Sequence, residues 1–455
     1  MKELPLRKRV FYGMGGLSMA LPDLIMMQWL AYRYVPADAD KQLLPAALWG
    51  LVFLLGRMTE GLNCPVIVHI SDNSGHRWGR RMPFLRFGFS PYLLVFVLLF
   101  FPPVEGMHWL NAVYAFVLIE AYFFLYSLVF TPYLALMPEL TSDLKERVDL
   151  ATAQAVFIML GAFAFGALGI VLDWGGWPAL AAGPAVLIVL CFMPVLSVIR
   201  EKPQTVHDTP PPGLWHSIRL TLHNRPFLHL VAGTSLFFFG LNGVLLLLPY
   251  WVVSYLGGTE GDVTLLMLPY LLASVPSFIV FNLLAPRVGK YALMLVTFLS
   301  AGVFLGALCL VGRLPLGTPF LQTGIIFGLA GIPMAGFMML PYALLGDVVD
   351  YDERRTGRRR EAIYFGVQGV AQKALMGLSV LAFTIVPYIG RSGLDADPTE
   401  FGLKAMAVLC GLACLAAFLT FLGYPIRERK GQVIFPEEPK PHETKVCTIY
   451  KPKTN

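Results

Sequence analysis

HISDNSGHRWGRRMPF, residues 69–84, is polar and crowded with arginine, yet it lies between LPAALWGLVFLLG (44–56) and FLRFGFSPYLLVFVLLFF (84–101). Each flank is apolar over the ~20 residues that carry a helix across a bilayer core. A short charged turn between two such runs reads as a loop at a membrane face. The rest of the chain repeats the pattern. Its 455 residues are 56% hydrophobic and only 14% charged, with mean hydropathy +0.64. A soluble chain carries charge at about a quarter of its positions. The alternation of barrel strands is absent, so the spans are helices.

Breaks at polar, Gly and Pro clusters predict an all-α polytopic membrane protein of twelve transmembrane helices. They cover residues 10–34, 43–70, 83–102, 109–137, 149–172, 178–199, 226–256, 263–285, 290–311, 318–345, 361–390 and 400–424. The run after the basic N-terminus is too long for a signal-peptide core and reads as a retained first helix. Most of the 35 Lys and Arg fall on the side of the two termini, with Arg33, Lys41, Arg313, Arg391 and Lys404 opposite. The positive-inside rule then puts both termini in the cytoplasm. The net charge of +6 is accounted for by topology, so nucleic-acid binding is not expected.

An internal echo supports two halves. Arg77-Trp78-Gly79-Arg80 returns as Arg287-Val288-Gly289-Lys290, and Pro132-Tyr133 returns as Pro341-Tyr342. Both offsets link helices six apart. The expected organisation is an N-terminal six-helix half (1–199), a Pro-rich cytoplasmic loop (200–225), a C-terminal half (226–424) and a disordered cytoplasmic tail (425–455). Parallel repeats of this kind build transporters around a midplane cavity.

An ionisable group in hydrocarbon costs ~2.5–3.5 kcal/mol on insertion scales, so each needs a partner or a job. Arg57, Glu60, Asn63 and Cys64 form one stripe on the second span, with Glu60 one turn from Arg57. Glu120 lies in the fourth span, two turns before Ser127. Lys373 lies deep in the eleventh, too deep for easy snorkelling. Its expected partner is Glu60, with Glu120 and Asp23 as alternatives. Cys410 and Cys414 share a helix face without His or carboxylate company, so no metal site is expected. No GxSxG, P-loop or HExxH pattern occurs, and no enzyme or cofactor is expected.

RMTEGLNCPVIVHISDNSGHRWGRRMPF and GDVVDYDERRTGRRREAIYFGVQGVAQK resemble the glycoside–pentoside–hexuronide cation symporters of the major facilitator superfamily, the melibiose permease group. The resemblance runs from about Tyr12 to Lys373. It implies the major facilitator fold and transport of a small organic solute by alternating access, coupled to H⁺ or Na⁺. It implies a cytoplasmic charge lock of Asp72, Arg77, Arg80 and Arg81. It implies a cation site at Glu60, Asn63, Cys64 and Ser127 near Lys373, but a carboxylate expected at Cys64 is missing, which weakens a sodium site because a thiol suits a hard cation poorly. The sugar-gripping positions fall on Ala20, Phe130 and Gln154, with Asp23 and Gln28 nearby and Lys373 at the edge. That pocket suggests a solute less polar than a sugar. The alternatives are a lysolipid or other amphipathic-lipid transporter of the same superfamily, and a non-transporting receptor or channel. A monomer in a bacterial inner membrane is expected, with membrane lipid around it.

Overall fold

With no water to receive them, backbone polar groups in a bilayer are satisfied only inside helices, and the apolar runs fold accordingly. The computed structural model describes residues 5–72, 74–141, 144–199, 219, 221–357, 361–389, 397–429 and 432–435. The first half contains α1 (Leu6–Met27), α2 (Trp29–Tyr34), α3 (Ala46–Asp72), α4 (Met82–Leu98), α5 (Trp109–Leu140), α6 (Leu144–Gly166) and α7 (Leu168–Val198). The second contains α8 (Arg225–Tyr250), α9 (Glu260–Val288), α10 (Lys290–Ala307), α11 (Pro319–Thr356), α12 (Glu361–Phe383) and α13 (Glu400–Leu422).

Eleven of the described helical stretches are long and apolar enough to cross a membrane, and α4 is a shorter apolar helix in the third position. The first span is α1 and α2 together. Gln28 only bends it, because its amide still donates to Leu24 (3.1 Å) and its carbonyl accepts from Tyr32 (3.0 Å). Pro249 strips a donor from the end of α8, and the next turn, Trp251–Tyr255, widens to a π-helix.

The fifth and sixth spans divide at Gly176 (φ 64°, ψ −164°), in the gap the sequence reading leaves between them. Before it, Asp173 meets Gly261 on the side away from the termini; after it, Ser197 and Val198 lie beside Arg7. The chain therefore reverses at Gly176. A Cβ there would meet only Pro178, at 3.6 Å, so the demand is conformational. Gly176→Ala is expected to cost ~1–3 kcal/mol, read as a lower melting temperature of the purified protein.

Where helices cross closely, small residues let backbones approach. At Gly13 a Cβ would fall 2.7 Å from the carbonyl carbon of Ala153, which fixes α1 against α6. At Gly331 it would fall 2.2 Å from the carbonyl oxygen of Tyr270, which fixes α9 against α11.

The sequence echo has a backbone counterpart. Gly79, before α4, has φ 103°, and Gly289, before α10, has φ 90°. Each half is clamped on the terminus side by its own charges. Arg9 of α1 pairs with Asp149 of α6 at 2.5 Å. Lys290 of α10 sits 2.7 Å from Asp347 of α11 and 3.2 Å from Glu428.

Glu428 corrects one expectation. The chain after α13 begins with a hairpin, β1 (Arg427–Arg429) antiparallel to β2 (Gln432–Ile434), with Glu428 opposite Val433. A two-stranded ribbon is marginal alone. Here Arg427 lies over the Tyr291 ring at 3.6 Å, and Phe435 stacks on Tyr351 at 5.9 Å. Glu428 also accepts the Lys290 backbone N–H at 2.6 Å, capping an α10 whose first turn has no acid of its own. The rest of the tail, and residues 200–218 of the middle loop, lie outside the described residues.

Candidate functional site

The stripe on α3 faces inward. Arg57 and Glu60 are each 1% exposed in the middle of a membrane-spanning helix. Arg57 Nη1 donates to Glu60 Oε2 at 2.9 Å, and Arg57 Nη2 lies 2.7 Å from Asp23 Oδ1 on α1. The Arg57 guanidinium also lies 4.7 Å from the centre of the Phe123 ring and 5.3 Å from that of Phe53. Those rings offer the cation a polarisable wall in place of water.

Lys373 reaches the same carboxylate from α12 in the other half. Its ammonium is 2.9 Å from Glu60 Oε1 and 3.3 Å from Cys64 Sγ. The sulfur is 3.8 Å from Ser127 Oγ and 3.6 Å from Thr131 Oγ1, both on α5. Asp23, Arg57, Glu60 and Lys373 thus form a neutral chain of alternating charge across three helices. Removing one member of such a buried chain strands an uncompensated charge.

The Asp23–Arg57 approach is close but misdirected. Arg57 Nη2 and Asp23 Oδ1 fall within ion-pair distance, yet neither completes a hydrogen bond with a described group. Gln28 Oε1, 1% exposed, is likewise unpartnered among the described residues. The Asp23 side chain keeps 25% of its surface open, the most accessible carboxylate of the chain of charges. Unmet hydrogen-bonding capacity beside a partly open carboxylate suits a hydroxyl-bearing ligand.

Of the residues implied as cation ligands, Glu60 and Cys64 meet Lys373, and Ser127 joins through the Cys64 sulfur. Asn63 is half-buried and joins none of their hydrogen bonds among the described residues. Glu120 also stays outside. It is half-buried beside the exposed Phe116, Val117 and Phe124, and makes no ion pair with Lys373 among the described residues.

The implied pocket residues divide as well. Phe130 is 1% exposed, with its ring among those of Tyr92, Tyr126, Tyr133 and Phe192, so it presents no face to a solute in this state. Gln154, 7% exposed, packs where α6 meets Gly16, and Ala20 is half-buried one turn before Asp23. At the terminus-side loop, Arg77 is exposed with its guanidinium 5.3 Å over Trp78. Arg80 and Arg81 are both engaged with other groups, while the Asp72 side chain lies outside the described residues.

Sequence reasoning missed Thr131 and the two rings on Arg57. It also missed the contacts on the side away from the termini, where Tyr32 donates to Glu260 at 3.0 Å and Asp173 accepts from Gly261 at 2.8 Å. One signal was present: Thr259-Glu-Gly-Asp262 spells the capping box that opens α9.

The family description MFS/sugar transport protein matches residues 11–428. An isoprimeverose transporter of Lactiplantibacillus pentosus is 26% identical over 89% of this chain and 88% of its own length. A glucuronide carrier protein homolog of Escherichia coli is 26% identical over 86% of this chain and 87% of its own. Among solved structures, a D-xylose-proton symporter superposes with a TM-score of 0.69 at 15% identity, covering 94% of this chain and 99% of that one. At that identity the likeness is one of fold.

Proposed function

The chain belongs to the MFS/sugar transport protein family, and from that premise we propose that this secondary transporter moves a sugar or glycoside together with protons. Family membership makes it a multi-pass membrane transporter that works by alternating access and not an enzyme. The solute and the coupling ion are our reading of the site.

One observation carries the proton: the Lys373 ammonium sits against two of the four residues that the resemblance implies for the coupling cation, 2.9 Å from Glu60 and 3.3 Å from Cys64. A tethered cation disfavours a second one there unless a further carboxylate is supplied. Sodium also seeks oxygen ligands, and the thiol of Cys64 stands where the resemblance implies a carboxylate. A proton needs only Glu60. Once protonated, Glu60 releases its hold on Arg57 and Lys373, and the tie between α3 and α12 loosens. A ligand that changes that tie shifts the balance between the two orientations of the cavity, which is what coupling requires.

A hydroxyl-rich solute is favoured by the open edge of Asp23, whose side chain is 25% exposed beside Arg57. The sequence had suggested a less polar solute because Phe130 and Ala20 replace gripping groups. Phe130 is spent on ring packing, which removes half of that argument. Relatives named for isoprimeverose and glucuronide transport point the same way. Nothing in the site favours the lipid alternative. With the termini cytoplasmic, contacts closing the far side correspond to an inward-facing state.

The test is uptake of labelled pentosides, hexosides and hexuronides into proteoliposomes with an imposed pH gradient. Accumulation driven by the gradient in sodium-free buffer is expected for at least one of them. Uptake that requires sodium at constant pH would overturn the proton reading. Cys64→Asp supplies the companion test. The variant is expected to gain thermal stability in sodium over choline, by roughly 2–3 kcal/mol at a hundredfold excess over its Kd, while the native protein gains none.

A further inference from the structure

Among the described residues, polar contacts between the halves are found at the site and on the side away from the termini. Asp173, near the end of the fifth span, accepts from the Gly261 backbone N–H at 2.8 Å and from Thr259 Oγ1 at 3.0 Å. The donors are the N-cap residue and the first turn of α9, in the other half. Tyr32 donates to Glu260 in the same turn at 3.0 Å, and the Ile170 N–H donates to Thr264 Oγ1 at 3.3 Å. The fit is tight: at Gly169 a Cβ would fall 2.2 Å from Glu260 O, and at Gly261 it would fall 2.4 Å from Asp173 Oδ2. On the terminus side, the ion pairs of Arg9 and Lys290 among the described residues stay within their own halves.

We propose that Asp173 is a positioning residue for transport, a cap carried by one half on the α9 N-terminus of the other, which latches the outer side shut. The first N–H groups of a helix have no partner inside it, and the helix dipole favours a carboxylate there. Within α9, Asp262 reaches back to the Thr259 N–H at 2.9 Å, so the box leaves Gly261 for Asp173. The outer side cannot open while these bonds persist. They are also weak enough to break in each cycle. Asp173 is exposed, and water takes over both donors as the halves part. A charge-assisted hydrogen bond exchanged for water shifts an equilibrium on the order of ten- to a hundredfold, the scale on which two working states are balanced.

This inference rests on the alternating-access reading, and its test needs no solute. Hydrogen–deuterium exchange is followed in the purified full-length protein, native and with Asp173→Ala. Faster exchange is expected in the first turn of α9, by roughly tenfold, together with slower exchange at the terminus-side ends of α6 and α11 as that side closes. Tyr32→Phe, which removes one hydroxyl and little volume, is expected to move both regions the same way by a smaller factor. It keeps the test intact if Asp173→Ala folds poorly. Acceleration confined to α9, with the far ends unchanged in both variants, would overturn the latch and leave Asp173 a local cap. If both regions respond but no solute is ever transported, the latch stands and the transport reading fails.

Discussion

Lys373→Ala is expected to abolish uphill uptake while exchange of solute down its gradient continues. Lys373 is the second half's charged tie to the buried network, 2.9 Å from Glu60. Without it, Asp23 and Glu60 share Arg57 alone, and one negative charge stands in excess within the membrane. The charge state of Glu60 then no longer bears on how α12 sits, so proton binding and the orientation of the cavity become independent. Coupling energies between linked sites are ~1–3 kcal/mol, so accumulation should fall by roughly 5- to 150-fold. The measurement is the steady-state accumulation ratio in proteoliposomes, set beside counterflow exchange in the same vesicles. Glu60→Gln combined with Lys373→Gln restores charge balance and should fold better than either change alone. Strictly additive losses in that cycle would mean that the two side chains do not act as a pair.

Arg57→Gln is expected to be the most destabilising single substitution in the site. Arg57 is 1% exposed, faces two carboxylates and lies over two aromatic rings. Glutamine is shorter, uncharged and unable to serve both Asp23 and Glu60. Breaking a buried ion pair from one side costs ~3–5 kcal/mol, and here two pairs lose their shared member. A marked fall in melting temperature in detergent and a low yield of folded protein should follow. Adding Asp23→Asn should recover a large part of the loss, because only Glu60 and Lys373 then carry charge. A single variant that melts with the native protein would show that Arg57 is not the keystone of the network.

The spans were legible in the sequence because hydrocarbon imposes one length and one composition on every crossing segment. Arg57, Glu60 and Lys373 were legible for the related reason that a charge in that setting must have a partner. The partners themselves were less so. Spacing along α3 gives the Arg57–Glu60 pair, but the approach of Asp23 depends on how α1 packs against α3. Phe130 occupies a position where the resemblance implies a gripping group, yet the ring cluster that buries it joins three spans. Glu120 reads as a neighbour of Ser127 on a helical wheel, while its exposure depends on where α5 meets its neighbours. The hairpin after α13 was read as tail because three-residue strands are too short for an alternation to register. Asp173 was invisible for a simpler reason: its partners are backbone and hydroxyl groups 86 and 88 residues away.

The placement of Glu428 also bears on the order in which the protein is made. Arg9 meets Asp149 across 140 residues, so the first half can close its clamp while the second is still being synthesised. Lys290 must wait for Glu428, 138 residues further along. At ~5–20 residues per second that delay is roughly seven to thirty seconds. Throughout it, α10 lies in the membrane with its first N–H groups uncapped and Lys290 sharing only Asp347. The second half is thus the late-maturing one, and a nascent chain halted just before residue 428 would hold α1 to α13 without the clasp that joins α10 to β1.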